Sequence, residues 1–547
     1  MYKFFSIDIM RQNIIILFLI FTASLPVELY SQSINTLKFA LVYPKLTKQI
    51  LYKNDDRFSP TDNWETFLLS NHIKYEMIND DALDELNNDV DLIIIPSLEV
   101  ATENMREEIE GMFKKGKGVL ITGNFAEFDE SGTRVDYIFQ KRILNFRIVP
   151  VPETSTISVN HTVVGNSPVS IGLMAGEKII LKRKPELFFA SDPSDICRKE
   201  GYYIPVSEKF SDTLSGIVSE SKLSGRLLWF GYNFDQLIGN NRDRLLKNSF
   251  DWLSSGAVAF INNLPGKYSS AGIIYKDIEK QRDLSLNYSS DNTDKINYFI
   301  SPLVIEKSGD EIKNLKNIGN INVIWDDFFF SNLTSGEKEE WLSKTKSSLK
   351  KITGQDYFGV SSSGEIYDSS AYRYLTNTGY SFIFSSGYAD SFSFVYDSVK
   401  SMYFFVRTSI PAADYKSALN FIVNNNGIFY INADSLNSWK SLIYQLDRKK
   451  LWFTTFSDLL DWTKKKDQLT ISAHFTGTEY KINIENNGFS DVHNAGIWIS
   501  VPDIKNSLYI KNPAAAGELT FDYYKKMFHL NVDLIRGGEN IIFTISE

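Results

Sequence analysis

An α/β multidomain protein is the expectation from three features of the sequence. Long apolar runs alternate with helices of amphipathic spacing between Leu37 and about Gly256. The same alternation resumes after a loop rich in Pro, Gly and Ser near Pro265, and from about Gln468 it gives way to short strands separated by Gly, Asn and Pro. Strand–helix alternation implies a largely parallel sheet covered by helices, and a closing run of short strands implies an antiparallel β-sandwich. A chain of 547 residues has room for three or four such domains.

The first segment is a leader. Lys3 and Arg11 precede the apolar run Ile14–Leu25, which is too short to span a bilayer comfortably, and small residues lead to Ser31. Residues 1–31 therefore read as a secretory signal peptide, so the expected location is secreted or periplasmic, with no transmembrane helix after leader removal. No Cys follows the run, which argues against a lipid anchor. Cys197 is the only cysteine, so neither an internal disulfide nor a Cys-rich zinc site is available. A net charge of −9 argues against a nucleic-acid partner.

From Leu37 the strands LKFALVYP, IKYEMIND and DLIIIPS follow in turn, the last a continuous apolar run suited to a sheet buried on both faces. The helix ENMREEIEGMFKKGKG places Met105, Ile109, Met112 and Phe113 on one side. Lys114 and Lys115 complement its C-terminus, and Gly116 ends it. GVLITGN is the next strand. Residues 133–225 hold shorter mixed strands, GRLLWFGYNFD is a closing strand, and NNRDRLLKNSFDWLSSG is a helix that ends at Gly256.

Through DLIIIPS, the following helix, GVLITGN and LLWFGYNFD, residues 35–256 resemble a class I glutamine amidotransferase-like α/β domain. The resemblance implies a nucleophilic Cys in the turn after GVLITGN, where this chain has Thr122 and Gly123. It implies a His soon after the closing strand, where this chain has Gly231, Tyr232 and Asn233. Cys197 lies far from the expected turn and is read as a small buried residue. Amidotransferase chemistry is not expected.

In the next region AGIIYKDIE and KINYFISPLVI are strands, and TSGEKEEWLSKTKSSLKKITG is a helix. Thr334 and Glu337 form its capping box, Trp341, Leu342, Leu349 and Ile352 its apolar stripe, and Gly354 its end. GYSFIFSS, SMYFFVRT and GIFYINAD are further strands, and LWFTTFSDLLDWTKKK closes the unit. LTISAHF, EYKINIENNG, AGIWISVP, FHLNVDLI and NIIFTIS then make an Ig-like β-sandwich over 468–547.

Taken in order, PGKYSSAGIIYKDIE, KINYFISP, the helix region to GVSSSGEIYD, NTGYSFIFSSGYADS, GIFYINADS and LWFTTFSDLLDW resemble the polysaccharide deacetylase family. The resemblance covers 265–465 and implies a distorted (β/α) barrel. The family's reaction is metal-assisted amide hydrolysis. One Asp and two His hold a divalent cation, a second Asp accepts the water proton, and a further His protonates the leaving amine. Alignment of Asp277 with the metal Asp places Lys276 where the base should be. Ile321 and Trp325 fall at the two histidine positions, Ser361 replaces the usual Arg, and Asp434 stands where a His is expected. The five histidines are His72, His161, His474, His493 and His529, so none lies between 265 and 465.

Lys276, Asp277, Ser361 and Asp434 are thus degenerate motif positions. No catalytic residue, no bound metal and no cofactor are expected. Two readings of the carboxylates stay open. Asp277, Glu279, Asp326, Asp327 and Asp434 are ordinary solvated side chains, or some converge into an oxygen-only cation site. Trp325, Tyr367 and Tyr388 are candidates for stacking on sugar faces, against the alternative that such rings are core. The leading expectation is an exported, non-catalytic protein of carbohydrate-active type that binds a polysaccharide or another cell-envelope component. The alternatives are a divergent deacetylase with a carboxylate-only metal site and a structural assembly factor.

Overall fold

The computed structural model describes residues 37–86, 89–135, 146–150, 160–163, 169–170, 172–174, 178–183, 185–191, 202–203, 214–222, 225–238, 241–285, 296–308, 311–312, 319–362, 370–385, 394–397, 402–406, 419, 422–423, 427–435, 451–475, 479–501, 509–511, 519–522 and 527–546. Residues 1–31, Cys197, Tyr367 and Tyr388 lie outside these residues.

The first unit comprises β1 (Phe39–Tyr43), α1 (Lys45–Leu51), α2 (Asp62–Ser70), β2 (Tyr75–Asn79), β3 (Leu92–Pro96), α3 (Glu103–Lys114), β4 (Gly118–Thr122), β5 (Ile217–Lys222), β6 (Gly225–Phe230) and α4 (Asn241–Ser255). The strands order as β5-β6-β4-β3-β1-β2, and only the β5–β6 pair is antiparallel. Strand alternation divides the apolar residues between two cores. Phe39, Leu41, Leu92, Ile94 and Leu120 pack on Trp64 and Phe67 of α2 and on Leu245 and Phe250 of α4. Ala40, Val42, Ile93, Ile95 and Val119 pack on Met105, Ile109 and Phe113 of α3. That double coverage is why DLIIIPS is apolar without interruption. At the start of α3 the Thr102 hydroxyl accepts the Met105 N–H at 3.2 Å, and Gly116 follows its end at φ +95°.

Two small antiparallel sheets lie between β4 and α4. One contains Phe146–Pro150, Leu187–Ser191 and Leu214–Ser215. The other contains Asn160–Val163, Lys178–Leu181, Tyr202–Tyr203 and Leu237–Ile238. The Glu186 and Leu187 N–H groups both donate to the Gly231 carbonyl, which returns the chain to the carboxyl edge of the main sheet.

β7 (Val258–Ile261) leaves the first unit and pairs with a strand of the C-terminal sandwich. The second unit then follows: β8 (Ser270–Ile278), β9 (Ile296–Ile300), β10 (Gly319–Ile324), α5 (Ser335–Thr353), β11 (Gly359–Ser362), β12 (Phe382–Ser385), β13 (Phe394–Asp397), β14 (Met402–Val406), β15 (Ile428–Asn432), β16 (Leu451–Thr454) and α6 (Phe456–Lys466). Its sheet runs β13-β14-β12-β11-β10-β9-β8-β15, with β16 also paired to β8. All pairs are parallel except β13–β14. This is a curled half-barrel, and among the described residues no ladder joins β15 to β13 or β14. α5 has the expected capping box and a left-handed Gly354 at φ +70°. Leu342 and Leu349 are buried, while Trp341 and Ile352 are only partly so.

The last unit contains β17 (Leu469–Phe475), β18 (Glu479–Asn486), β19 (Val492–Ser500), β20 (Tyr509–Ile510), β21 (Leu519–Asp522), β22 (Met527–Ile535) and β23 (Asn540–Ser546). Two antiparallel sheets, β7-β19-β22-β21 and β17-β18-β23-β20, close on a core of Ile482, Ile497, Leu530, Val532 and Phe543. The sandwich expected from 468–547 alone therefore takes a strand from Val258–Ile261. Trp498 and Met527 join the first unit's core beside Phe260. Among the described residues no helix is long and apolar enough to cross a membrane.

Candidate functional site

Two places concentrate polar side chains with possible chemistry: the half-barrel, where the sequence motifs fall, and the carboxyl edge of the first sheet. On β8, Ile274 and Ile278 belong to the helix-side core, whereas Ala271, Ile273 and Tyr275 belong to the sheet's inner face. By strand alternation Lys276 lies on the helix side and Asp277 on the inner side. The two adjacent motif positions thus diverge. Lys276 is 3% exposed, and its ammonium donates to Asp434 Oδ1 at 2.8 Å just past the end of β15. Two degenerate positions form an ion pair.

The inner face is filled by rings. Phe456, the first residue of α6, packs against Phe382 and Phe405 at 4.8 Å each and against Phe384 at 5.2 Å. Phe299 and Tyr430 complete the group. Thr455 caps α6 by accepting the Asp458 N–H, and the Phe456 N–H donates to Asn297 Oδ1, so the ring is fixed from both sides of its backbone. Burial pushes the Tyr430 phenol far up. Ser361 is buried, in register with Ile324 and Phe384.

The remaining motif residues bear on the two readings left open above. Trp325 is 4% exposed, stacked on Phe330 at 4.2 Å, with its indole N–H donating to Asp327 Oδ1 at 2.8 Å. It is core, because β10 ends by turning its ring under the helix Asp327–Ser331, and it is not a groove ring. The five carboxylates do not converge. Asp326 caps that helix by accepting the Phe329 N–H, Asp327 holds Trp325, Asp434 holds Lys276, and Glu279 is exposed. Among the described residues no three His, Cys, Asp or Glu side chains form a metal-holding group. Tyr367 and Tyr388 lie outside the described residues.

The sequence reading missed the second place. In the first sheet the chain steps from β1 to β2 on one side and from β3 onward on the other. The carboxyl ends of β1 and β3 therefore flank a topological switch point, where open α/β sheets form a crevice. β3 ends in Pro96-Ser97-Leu98-Glu99, with Ser97 at φ +46°. Gly123, at φ +70°, directly follows β4. Ser97 Oγ donates to Asn233 Oδ1 at 2.7 Å, and Asn233 Nδ2 donates to Glu186 Oε1 at 2.9 Å. Glu186 also accepts from Gln236 Nε2 at 3.2 Å and from the Asn124 N–H at 3.2 Å. A Cβ on Gly123 would lie 2.7 Å from oxygens of Ser97, Asn233 and Glu186, so only glycine fits beneath this cluster.

Glu99 faces the same crevice. Tyr52, at the C-terminal end of α1, donates its hydroxyl to Glu99 Oε1 at 2.8 Å, and its ring stacks on Phe58 at 4.1 Å. An open depression of about 730 Å³ runs along Ile50 to Arg57 beside Tyr52. Burial pushes the Glu99 carboxyl up to about 7; the Tyr52 and Asn124 hydrogen bonds oppose this, and the charges of Glu186 and Glu127 add to it. Burial also raises Glu186, against the lowering pull of Arg183. The Tyr52 phenol is raised by its own burial and by Glu99. A carboxyl that titrates near neutrality beside an aromatic pair can donate or accept a hydrogen bond. One sequence signal pointed here: a polar Ser-Leu-Glu turn directly after the most apolar strand.

No family model matches this chain, and no curated protein matches it. Among solved structures, Gan42B, a GH42 β-galactosidase, is similar at 12% identity and a TM-score of 0.28, over 41% of this chain and 31% of that one. The Bc1960 peptidoglycan N-acetylglucosamine deacetylase is similar at 16% identity and a TM-score of 0.23, over 37% of this chain and 91% of that one. A ThuA-like protein from Bacteroides uniformis is similar at 14% identity and a TM-score of 0.29, over 41% of this chain and 94% of that one. These are weak structural similarities, two of the three to carbohydrate-active enzymes.

Proposed function

We propose that this is an exported protein of carbohydrate-active type that binds glycan or an envelope partner and does not hydrolyse it. In this reading residues 35–256 are an amidotransferase-like domain without its nucleophile, and 265–465 are a deacetylase-like half-barrel kept as a scaffold. One observation carries it: the ring cluster around Phe456 occupies the inner face of the half-barrel, in a region whose sequence holds no histidine. The Lys276–Asp434 ion pair supports the same view. The side chain at the base position donates its hydrogen bond to Asp434, and that carboxylate is thereby engaged.

The test is acetate release from acetylated chitin, xylan and peptidoglycan, with and without added divalent metal, alongside retention of the protein on the same polymers. Retention without acetate is the expected result. Acetate release that Asp277→Ala abolishes would overturn the non-catalytic reading. The absence of both release and retention would overturn glycan binding.

A further inference from the structure

The crevice at the carboxyl edge of the first sheet contains chemistry that the half-barrel reading leaves unused. Its floor is Gly123, ringed by Ser97, Asn233 and Glu186. Its wall is Glu99, and its rim is the stacked pair Tyr52 and Phe58, both partly exposed. Two buried groups next to these residues have unmet hydrogen-bonding capacity. Gln236 is fully buried, with its amide nitrogen on Glu186, and its Oε1 has no partner among the described residues. Thr122, the residue before Gly123, is 2% exposed, and its Oγ1 likewise has none. Buried polar atoms without partners are uncommon and call for an occupant or a role.

The charge pattern narrows the occupant. Glu99, Glu186 and Glu127 make the crevice acidic, which disfavours anions; Glu127 is ion-paired with Arg134, and Arg183 lies 3.8 Å from Glu186. A cation is also a poor fit, because it needs several oxygen ligands at once, whereas Glu186 already accepts three N–H donors and Glu99 Oε1 already accepts from Tyr52. What remains is a set of short acceptors and amides beside a flat apolar surface. A sugar ring matches both parts, with a hydroxyl edge for Glu99, Asn124 and Asn233 and a C–H face for the aromatic pair.

We infer that this crevice, lined by Tyr52, Phe58, Glu99, Asn124 and Asn233, is a binding site for a neutral saccharide unit. The ligand class rests on the glycan reading proposed above, whereas the place of the site rests on the first sheet's own geometry.

The experiment is calorimetric titration of the full mature chain with cellobiose, maltose, lactose and chitobiose, with glucosamine as the cationic comparison. Phe58→Ala removes the rim and Glu99→Gln alters the wall with little change of shape. Phe328→Ser, on an exposed half-barrel residue, is the control. The expected result is that one neutral disaccharide binds, that each crevice variant weakens it about tenfold, the loss of a single good contact, and that the control binds normally. Saccharide-dependent protection of amides 97–101 and 122–128 from exchange is the second readout, valid even where a variant folds poorly. Disaccharide binding unaffected by both crevice variants would overturn the site while leaving the glycan reading intact. So would polymer retention without disaccharide binding. A preference for glucosamine would overturn the neutral ligand class.

Discussion

Glu99→Gln is the sharpest test of the crevice's electrostatics. The carboxyl moves from an ordinary value of 4.5 to about 7 on folding, chiefly through burial. Between those values the unfolded chain has lost the proton and the folded chain retains it. Stability therefore falls as pH rises through this window, by about 1.4 kcal/mol per unit and about 3 kcal/mol in all. Glutamine cannot ionise, so the variant escapes the whole decline. It keeps the acceptor for Tyr52 but exchanges the second acceptor oxygen for a donor, which weakens the Asn124 contact at a cost of about 1 kcal/mol. At about pH 8 the variant should therefore be more stable by about 2 kcal/mol, and below about pH 4.5 less stable by about 1 kcal/mol. Because the chain has several domains, the measurement should be local. Amide exchange of β3 and β4, compared between variant and parent at matched pH, isolates the first unit. A stability difference that stays flat across the window, or a variant less stable at the alkaline end, would refute a buried Glu99 of raised pKa.

Three further outcomes follow from the packing. Phe456→Ala should cost about 3–5 kcal/mol in chemical denaturation of the half-barrel, since its ring contacts five others. Gly123→Ala should cost about 3 kcal/mol, from a left-handed φ of +70° and three oxygens at 2.7 Å, measured as loss of exchange protection in β4. Lys276→Met should be near neutral, while Asp434→Ala should cost about 1 kcal/mol, because it takes a partner from a buried ammonium; the exposure of Asp434 keeps the loss small. Thermal melts of the two variants should separate in that order, and equal losses would contradict the asymmetry.

What the sequence determined by itself was local. Helix ends at Gly116, Thr334 and Gly354 were legible because caps act over three or four residues. The buried strands of the first unit and the half-barrel were legible because a sheet covered on both faces needs unbroken apolar runs. The missing histidines needed no structure at all. The tertiary structure decided every question of convergence. Trp325 could be a groove ring or core until β10 was seen to tuck it onto Phe330. The pairing of Lys276 with Asp434 crosses 158 positions, and Val258–Ile261 joins a sandwich whose other strands begin at Leu469. Ser97 reaches Asn233 across 136 positions, and nothing in local spacing encodes that meeting. Side-chain period and capping are properties of neighbours along the chain, whereas a crevice at a switch point exists only once the order of the strands is set.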